Sequence, residues 1–217
     1  MTKQNRKSAR KNSSQKGNQT GKPRAETVGL RIIGGRFRRR KLLYSGEIRT
    51  RPMKDRLREA VFNLIGDEIE GSHAIDLFAG TGALGPEALS RGAARATLIE
   101  QHYPTADIIR QNVSALGVQS QTEIVPGNVF IWNKRRGDLG KASWLVFCSP
   151  PYDFYVSRSG EMLELLGGLI QAAPVKSIFV VEADERFDYA LLKDPQAWDV
   201  RSYPPAFIGV YRKVGNR

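Results

Sequence analysis

The stretch Ala74-Ile75-Asp76-Leu77-Phe78-Ala79-Gly80-Thr81-Gly82-Ala83-Leu84-Gly85 runs from a short apolar segment into a G-x-G-x-x-G turn. The apolar segment reads as a buried strand, and the glycines read as a tight turn opening a helix. Glu100 follows Gly80 by twenty residues, at the end of the next apolar run. Two ligand classes use this spacing: dinucleotides and S-adenosylmethionine. Asp76, four residues before Gly80, separates them. A carboxylate beside the turn would repel a pyrophosphate. It would favour the ammonium and sulfonium of S-adenosylmethionine through charge-assisted hydrogen bonds. On this reading Asp76, Phe78, Ala79, Gly80, Thr81 and Gly82 form the cofactor loop. Gly80 and Gly82 allow close backbone approach, and Glu100 accepts from the ribose hydroxyls. At the next strand end, in Pro126-Gly127-Asn128-Val129, Asn128 and Val129 are further cofactor candidates: related enzymes place an adenine acceptor there and the Asn128 amide oxygen can accept, although an ordinary turn Asn fits the sequence as well.

Outward from this turn, strands and helices alternate. Strands are expected at about 74–79, 96–100, 122–126, 144–149 and 177–182, and helices at about 83–91, 104–116 and 159–172. That rhythm predicts a doubly wound, mostly parallel α/β sheet. The last two apolar runs, Trp198–Tyr203 and Phe207–Tyr211, flank Pro204-Pro205 with no room for a helix. They can pair only as an antiparallel hairpin. A parallel sheet closed by such a hairpin is the architecture of a Rossmann-like class I methyltransferase.

The fourth run, Trp144-Leu145-Val146-Phe147-Cys148, leads directly into Ser149-Pro150-Pro151-Tyr152. This matches the [Asp/Asn/Ser]-Pro-Pro-aromatic signature of amino-methyltransferases. An exocyclic base amine is a poor nucleophile because its lone pair is delocalised into the ring. Ser149 and the carbonyl of Pro150 can accept its two hydrogens and favour a pyramidal nitrogen. Pro150 and Pro151 stiffen the backbone without adding donors. Tyr152 offers a face for a flipped-out base. Positioning then carries the reaction, and no metal is required. Cys148, the single cysteine, reads as a core residue. His73 and His102 show no ligand spacing.

The chain has 217 residues and a net charge of +12, unevenly spread. Residues 1–28 carry eight Lys/Arg against one acid, and residues 29–58 eleven against two. The remainder carries fifteen against nineteen. Residues 1–28 almost lack large apolar side chains and are expected to be disordered. Residues 29–72 read as a basic extension. It comprises a hairpin turning at Gly34-Gly35, with strands up to Phe37 and from Arg38 to Tyr44, then an amphipathic helix over Arg51 to Gly66. Lys54, Arg56 and Arg58 lie off the helix's apolar stripe. Arg36, Arg38, Arg39, Arg40 and Arg51 are candidates for phosphate contacts to RNA. Residues 73–217 form the S-adenosylmethionine-dependent domain. No apolar run approaches the roughly 18 residues of a membrane helix, and no secretory leader is visible. A cytoplasmic, monomeric protein is expected.

Several segments together resemble the RsmD family: Leu30-Arg31-Ile32-Ile33-Gly34-Gly35, Arg51-Pro52 with Asp55-Arg56-Leu57-Arg58-Glu59 and Phe62-Asn63, the glycine turn, and Glu87-Ala88-Leu89-Ser90-Arg91-Gly92. The resemblance covers about residues 29–212. It implies a bacterial methyltransferase acting on guanine N2 of small-subunit (16S) ribosomal RNA. Asp76, Gly80, Gly82 and Glu100 would hold cofactor, Ser149 to Tyr152 the base, and residues 29–58 the RNA. The sequence departs from the family at Ser149 and Asn128, where Asp is usual. Two other readings remain open at this stage. One is the same fold acting on cytosine or adenine of RNA or DNA, or on protein glutamine. The other is a catalytically silent RNA-binding assembly factor.

Overall fold

In the computed structural model the described residues are Met1, 29–44 and 53–215; Arg51 and the tail of residues 2–28 lie outside them. The five apolar runs form parallel strands β1 (His73–Asp76), β2 (Arg95–Glu100), β3 (Thr122–Pro126), β4 (Trp144–Cys148) and β5 (Ile178–Ala183). β6 (Trp198–Tyr203) and β7 (Ala206–Arg212) are antiparallel, and β7 pairs with β5. The seven strands lie in the order β3-β2-β1-β4-β5-β7-β6. The order reverses between β1 and β4. In such sheets a ligand crevice opens there, outside the carboxyl ends of the strands.

Helices cover both faces: α1 (Asp55–Ile65), α2 (Leu84–Ser90), α3 (Tyr103–Leu116), α4 (Val129–Arg135), α5 (Phe154–Ser157) and α6 (Ser159–Ala172). Because strand side chains alternate, neighbouring residues feed two cores. Ala74, Leu98, Phe147 and Val180 pack with Val61 of α1, Ala88 of α2 and Ile109 of α3. Ile75, Ile99, Val146 and Phe179 pack with Phe130 of α4 and Leu166 of α6. The α4 segment was not expected from its pattern. Its signal is Asn128, whose side chain caps its first turn by accepting from the N–H groups of Phe130 and Ile131.

The basic extension belongs to the first core. Leu30, Ile32, Leu42 and Tyr44 join its cluster, and Phe62 of α1 meets Phe147 of β4 at 5.6 Å. Among the described residues the expected two-stranded hairpin shows one bridge pair, Arg31 with Lys41, and backbone bonds from Ile32 N–H to Arg40 O, Arg39 N–H to Ile32 O and Leu42 N–H to Leu30 O, rather than two regular strands. A 3-10 turn occupies Gly35–Phe37. The cause is competition for the backbone. The N–H groups of Ile33 and Gly34 are taken by the Glu87 carboxylate, at 2.7 and 2.8 Å, and that of Phe37 by the Ser90 hydroxyl, at 2.9 Å. A Cβ on Gly35, whose φ is +70°, would lie 1.8 Å from the Ser90 carbonyl oxygen, so only glycine fits there.

Arg58 corrects the expectation that it lies on the outer face of α1. It is fully buried. Its Nη2 donates to the Arg31 carbonyl at 2.6 Å and to Asp55 at 3.0 Å. Its Nε lies 4.0 Å from Glu87, which is also fully buried. The helical period places Arg58 off the apolar stripe. The hairpin folded over that side of α1 is what covers it.

Candidate active site

A cavity of about 1080 Å³ opens at the carboxyl ends of β1, β2, β4 and β5, large enough for a nucleoside cofactor with a second group beside it. It is lined by Phe78, Ala79, Gly80 and Thr81 of the glycine turn, by Glu100, by Val129, and by Ser149, Pro150, Pro151 and Tyr152. Two turns more than sixty residues apart in sequence thus share one space. Their strands are neighbours, with Asp76 of β1 paired to Phe147 of β4.

The turn leaves β1 under backbone control. Leu77 N–H donates to Phe147 O, Ala79 N–H to Ile99 O and Gly82 N–H to Ala79 O. Gly80 and Gly82 have φ of +51° and +70°. A Cβ on Gly82 would press on Ile109 at 2.7 Å, and one on Gly85 would lie 2.4 Å from Leu98. The second and third glycines therefore also let α3 and β2 approach the turn. Neither Gly82 nor Gly85 is on the cavity lining, so the structure gives these two a packing role, and Gly80 is the glycine of the turn that faces the cavity.

Asp76 sits just behind the loop, 1% exposed, rather than on the cavity lining. Its Oδ1 has no hydrogen-bond partner among the described residues. Burial pushes its pKa up to about 7, partly opposed by the Phe78 backbone N–H and reinforced by nearby Glu100. A buried carboxyl with an unmet acceptor fits a donor-bearing, cationic ligand group at this turn. Glu100 accepts from Gly80 N–H and His102 N–H, each at 2.7 Å. Burial raises its pKa while these two bonds lower it. A carboxylate has about four lone-pair sites, so acceptors remain for ribose hydroxyls. Asn128 does not line the cavity, because its amide oxygen is held at the start of α4. That geometry places it as a helix cap rather than an adenine acceptor. Its neighbours Gly127 and Val129 do line the space.

At the other turn, Pro150 is buried, Ser149 and Tyr152 are half-buried, and Pro151 is exposed. The Tyr152 hydroxyl donates to Glu182 Oε1 at 2.7 Å. Glu182, on β5, lines the cavity too and was not singled out in the sequence, where it is one acid in an apolar run. Phe78, Phe130 and Phe154 form an aromatic wall with centroids 6.1–6.4 Å apart. The opposite rim comes from Lys54, Arg56 and Leu57 of the α1 region and from Tyr203, Pro204 and Pro205 of the β6–β7 turn.

Cys148 is fully buried, and desolvation pushes its thiol up to about 12, so it is a core residue as expected. His73 is buried, with Nε2 2.8 Å from Thr97 Oγ1, and burial lowers its pKa to about 4. His102 lines the cavity, with Nδ1 2.9 Å from Thr105 Oγ1. Among the described residues, no group of three or more His, Cys, Asp or Glu is placed to hold a metal. No helix among them is long and apolar enough to cross a membrane.

Four of the arginines predicted to contact phosphate, Arg36, Arg38, Arg39 and Arg40, lie elsewhere. Arg36 and Arg40 are exposed but donate to Gln121 Oε1 and to the Ala115 carbonyl. Those acceptors lie at the far end of α3 and just before β3, the amino edge of the sheet. His102, on the cavity, is at the opposite end of α3. With about 1.5 Å of rise per residue, the fourteen-residue helix separates the two by about 20 Å. Arg38 and Arg39 are exposed on the same turn.

A reversed-order parallel sheet with an antiparallel edge, and one cavity joining a glycine turn to a Ser-Pro-Pro-Tyr turn, define a Rossmann-like class I methyltransferase. Comparison with known proteins places it further. The family described as Conserved hypothetical protein 95 matches residues 30–202, and the chain belongs to it; this is the RsmD family of the sequence resemblance. The chain is 38% identical to Ribosomal RNA small subunit methyltransferase D of Escherichia coli (strain K12), over 84% of this chain and 88% of that one. The solved structure of the yhhF protein of Escherichia coli superposes with a TM-score of 0.69 at 29% identity, covering 86% of this chain and 99% of that one. An RNA methyltransferase from Salinibacter ruber, solved with S-adenosyl-L-homocysteine, shares the fold. Its TM-score is 0.55 at 17% identity, over 77% of this chain and 96% of that one.

Proposed function

We propose that this protein transfers a methyl group from S-adenosylmethionine to the exocyclic N2 of a guanine in small-subunit ribosomal RNA. The observation that carries the reading is the single cavity shared by the glycine turn and Ser149-Pro150-Pro151-Tyr152. The 38% identical Escherichia coli relative, named as a small-subunit ribosomal RNA methyltransferase, supports the RNA substrate, and the family resemblance supports guanine N2.

Bound S-adenosylmethionine supplies an electrophilic methyl group. Asp76 and the turn from Phe78 to Thr81 hold its amino acid end, while Glu100 accepts from its ribose. Tyr152 stacks the base. Ser149 Oγ and the Pro150 carbonyl accept the two amine hydrogens and turn the nitrogen lone pair toward the methyl carbon. A bound S-adenosylmethionine would supply its methyl to this nitrogen as its own S–C bond is given up, and the amine's displaced proton would pass to water. The chain's contribution is alignment in a largely apolar pocket. Lys54 and Arg56 on the rim suit the phosphates flanking the flipped nucleotide, and the hairpin arginines suit phosphates about 20 Å away.

The test is transfer of labelled methyl to small ribosomal subunits lacking their native base methylations, with nucleoside analysis. Label in N2-methylguanosine is the expected result. Label in N4-methylcytidine or N6-methyladenosine would keep the enzyme and overturn the base assignment. No transfer and no cofactor binding would leave a silent RNA-binding factor.

A further inference from the structure

We propose that Glu182 selects guanine over the other amino-bearing bases; the inference rests on the guanine-N2 reading above. In the β4–β5 ladder Cys148 pairs with Val181. Ser149 and Glu182 follow this last pair, Ser149 just past the end of β4 and Glu182 still within β5. Both line the cavity. Glu182 is held from two directions. Tyr152 donates its hydroxyl to Oε1 at 2.7 Å, and Tyr155 donates to the Glu182 carbonyl at 2.9 Å. The carboxylate is thus held in the cavity that Ser149 and Pro150 also line, with lone pairs beyond the one Tyr152 uses.

The three base amines differ in the ring atom next to them. In guanine the C2 amine is flanked by N1–H, a donor, on one side and by N3, a bare acceptor, on the other. In cytosine and adenine the neighbours of the amine are N3 and N1, both bare acceptors. Ser149 is a donor and an acceptor and cannot tell these cases apart. A carboxylate can. It accepts from guanine N1–H and is left facing a lone pair by cytosine or adenine. Glu182 therefore reads the atom beside the reacting amine, while Ser149 and Pro150 hold the amine itself. This assigns base choice to β5 and explains how the neutral Ser149 is compatible with a guanine substrate.

The experiment compares guanosine with 2-aminopurine riboside at the methylated position of a ligated small-subunit RNA. The analogue keeps the C2 amine and lacks N1–H. The wild-type chain is expected to favour guanosine in kcat/KM by about 10–100-fold, the range of one charge-assisted hydrogen bond. Glu182→Gln is expected to lower kcat/KM for guanosine by a similar factor, leave the analogue nearly unchanged, and keep cofactor affinity. The discrimination ratio then falls toward one. A wild-type chain that methylates both equally would overturn the proposal without any variant. So would a Glu182→Gln chain that loses both substrates in proportion, which is the signature of a structural role. Wild-type label in a nucleoside other than N2-methylguanosine would overturn the guanine reading beneath it as well.

Discussion

Replacing Glu87 by Gln tests how the basic extension is attached. Glu87 is fully buried on α2 and is the meeting point of four groups. It accepts from the backbone N–H groups of Ile33 and Gly34, from Arg91 Nε at 2.8 Å, and lies 4.0 Å from Arg58 Nε. Gln keeps the volume and one oxygen but removes the charge facing Arg58, whose Nε and Nη1 already lack hydrogen-bond partners among the described residues. Burial lowers the Arg58 pKa, and Asp55 and Glu87 are the groups that oppose that effect. Breaking one side of a buried ion pair costs about 3–5 kcal/mol. For a chain of this size each kcal/mol shifts Tm by about 2–4 °C. The expected loss is therefore about 6–20 °C, read by calorimetry and urea titration. Arg58→Met removes the charge that Gln leaves unbalanced, so the double variant should be less destabilised than the two singles together. A coupling of at least about 1 kcal/mol is expected for groups in contact. A Glu87→Gln loss below about 1 kcal/mol, or strict additivity with Arg58→Met, would refute the account of Glu87 as the anchor of the hairpin.

Asp76→Asn should abolish cofactor binding while stabilising the ligand-free protein at alkaline pH. The folded pKa is raised from 3.8 to about 7. The stability linked to this group is thus fully present below the unfolded value and lost as pH rises through 7, at a cost approaching about 4 kcal/mol above it. Urea titrations at pH 5 and pH 8 should show the gain from Asn growing with pH; an equal gain at both would sink the assignment. Gly85→Ala places a methyl 2.4 Å from Leu98 Cδ2 and should cost about 1–3 kcal/mol by overpacking; unchanged stability would show that α2 can move away from β2. Replacing Arg38, Arg39 and Arg40 together by Ala should weaken RNA binding and flatten its dependence on salt. Nucleoside specificity should stay unchanged, because these residues lie about 20 Å from the cavity; an unaltered salt slope would return them to a solvated surface.

The strands, their alternation with helices and the antiparallel edge were legible in the sequence. Buried parallel strands carry near-continuous apolar runs, and helices carry the 3.6-residue period. The two ends of the site were legible for a related reason. Gly80-Thr81-Gly82 and Ser149-Pro150-Pro151-Tyr152 are contiguous, and each is constrained by backbone geometry that few residue types satisfy. Asn128 shows where such local reading stops. Its position at a strand end suggested a ligand acceptor, yet the adjoining helix takes its oxygen.

Composition and local period decided the sheet, the glycine turn and the proline turn, because those depend on neighbours within a few residues. Tertiary structure alone decided that Glu87 holds a backbone segment 53 and 54 residues away, and that Arg58 is interior. It also set Glu182 in one cavity with Ser149 and turned the hairpin arginines from that cavity. Each of these follows from long-range packing, where a charged side chain's burial and partner are set by whichever distant segment folds over it. No periodicity within its own helix or strand encodes that segment.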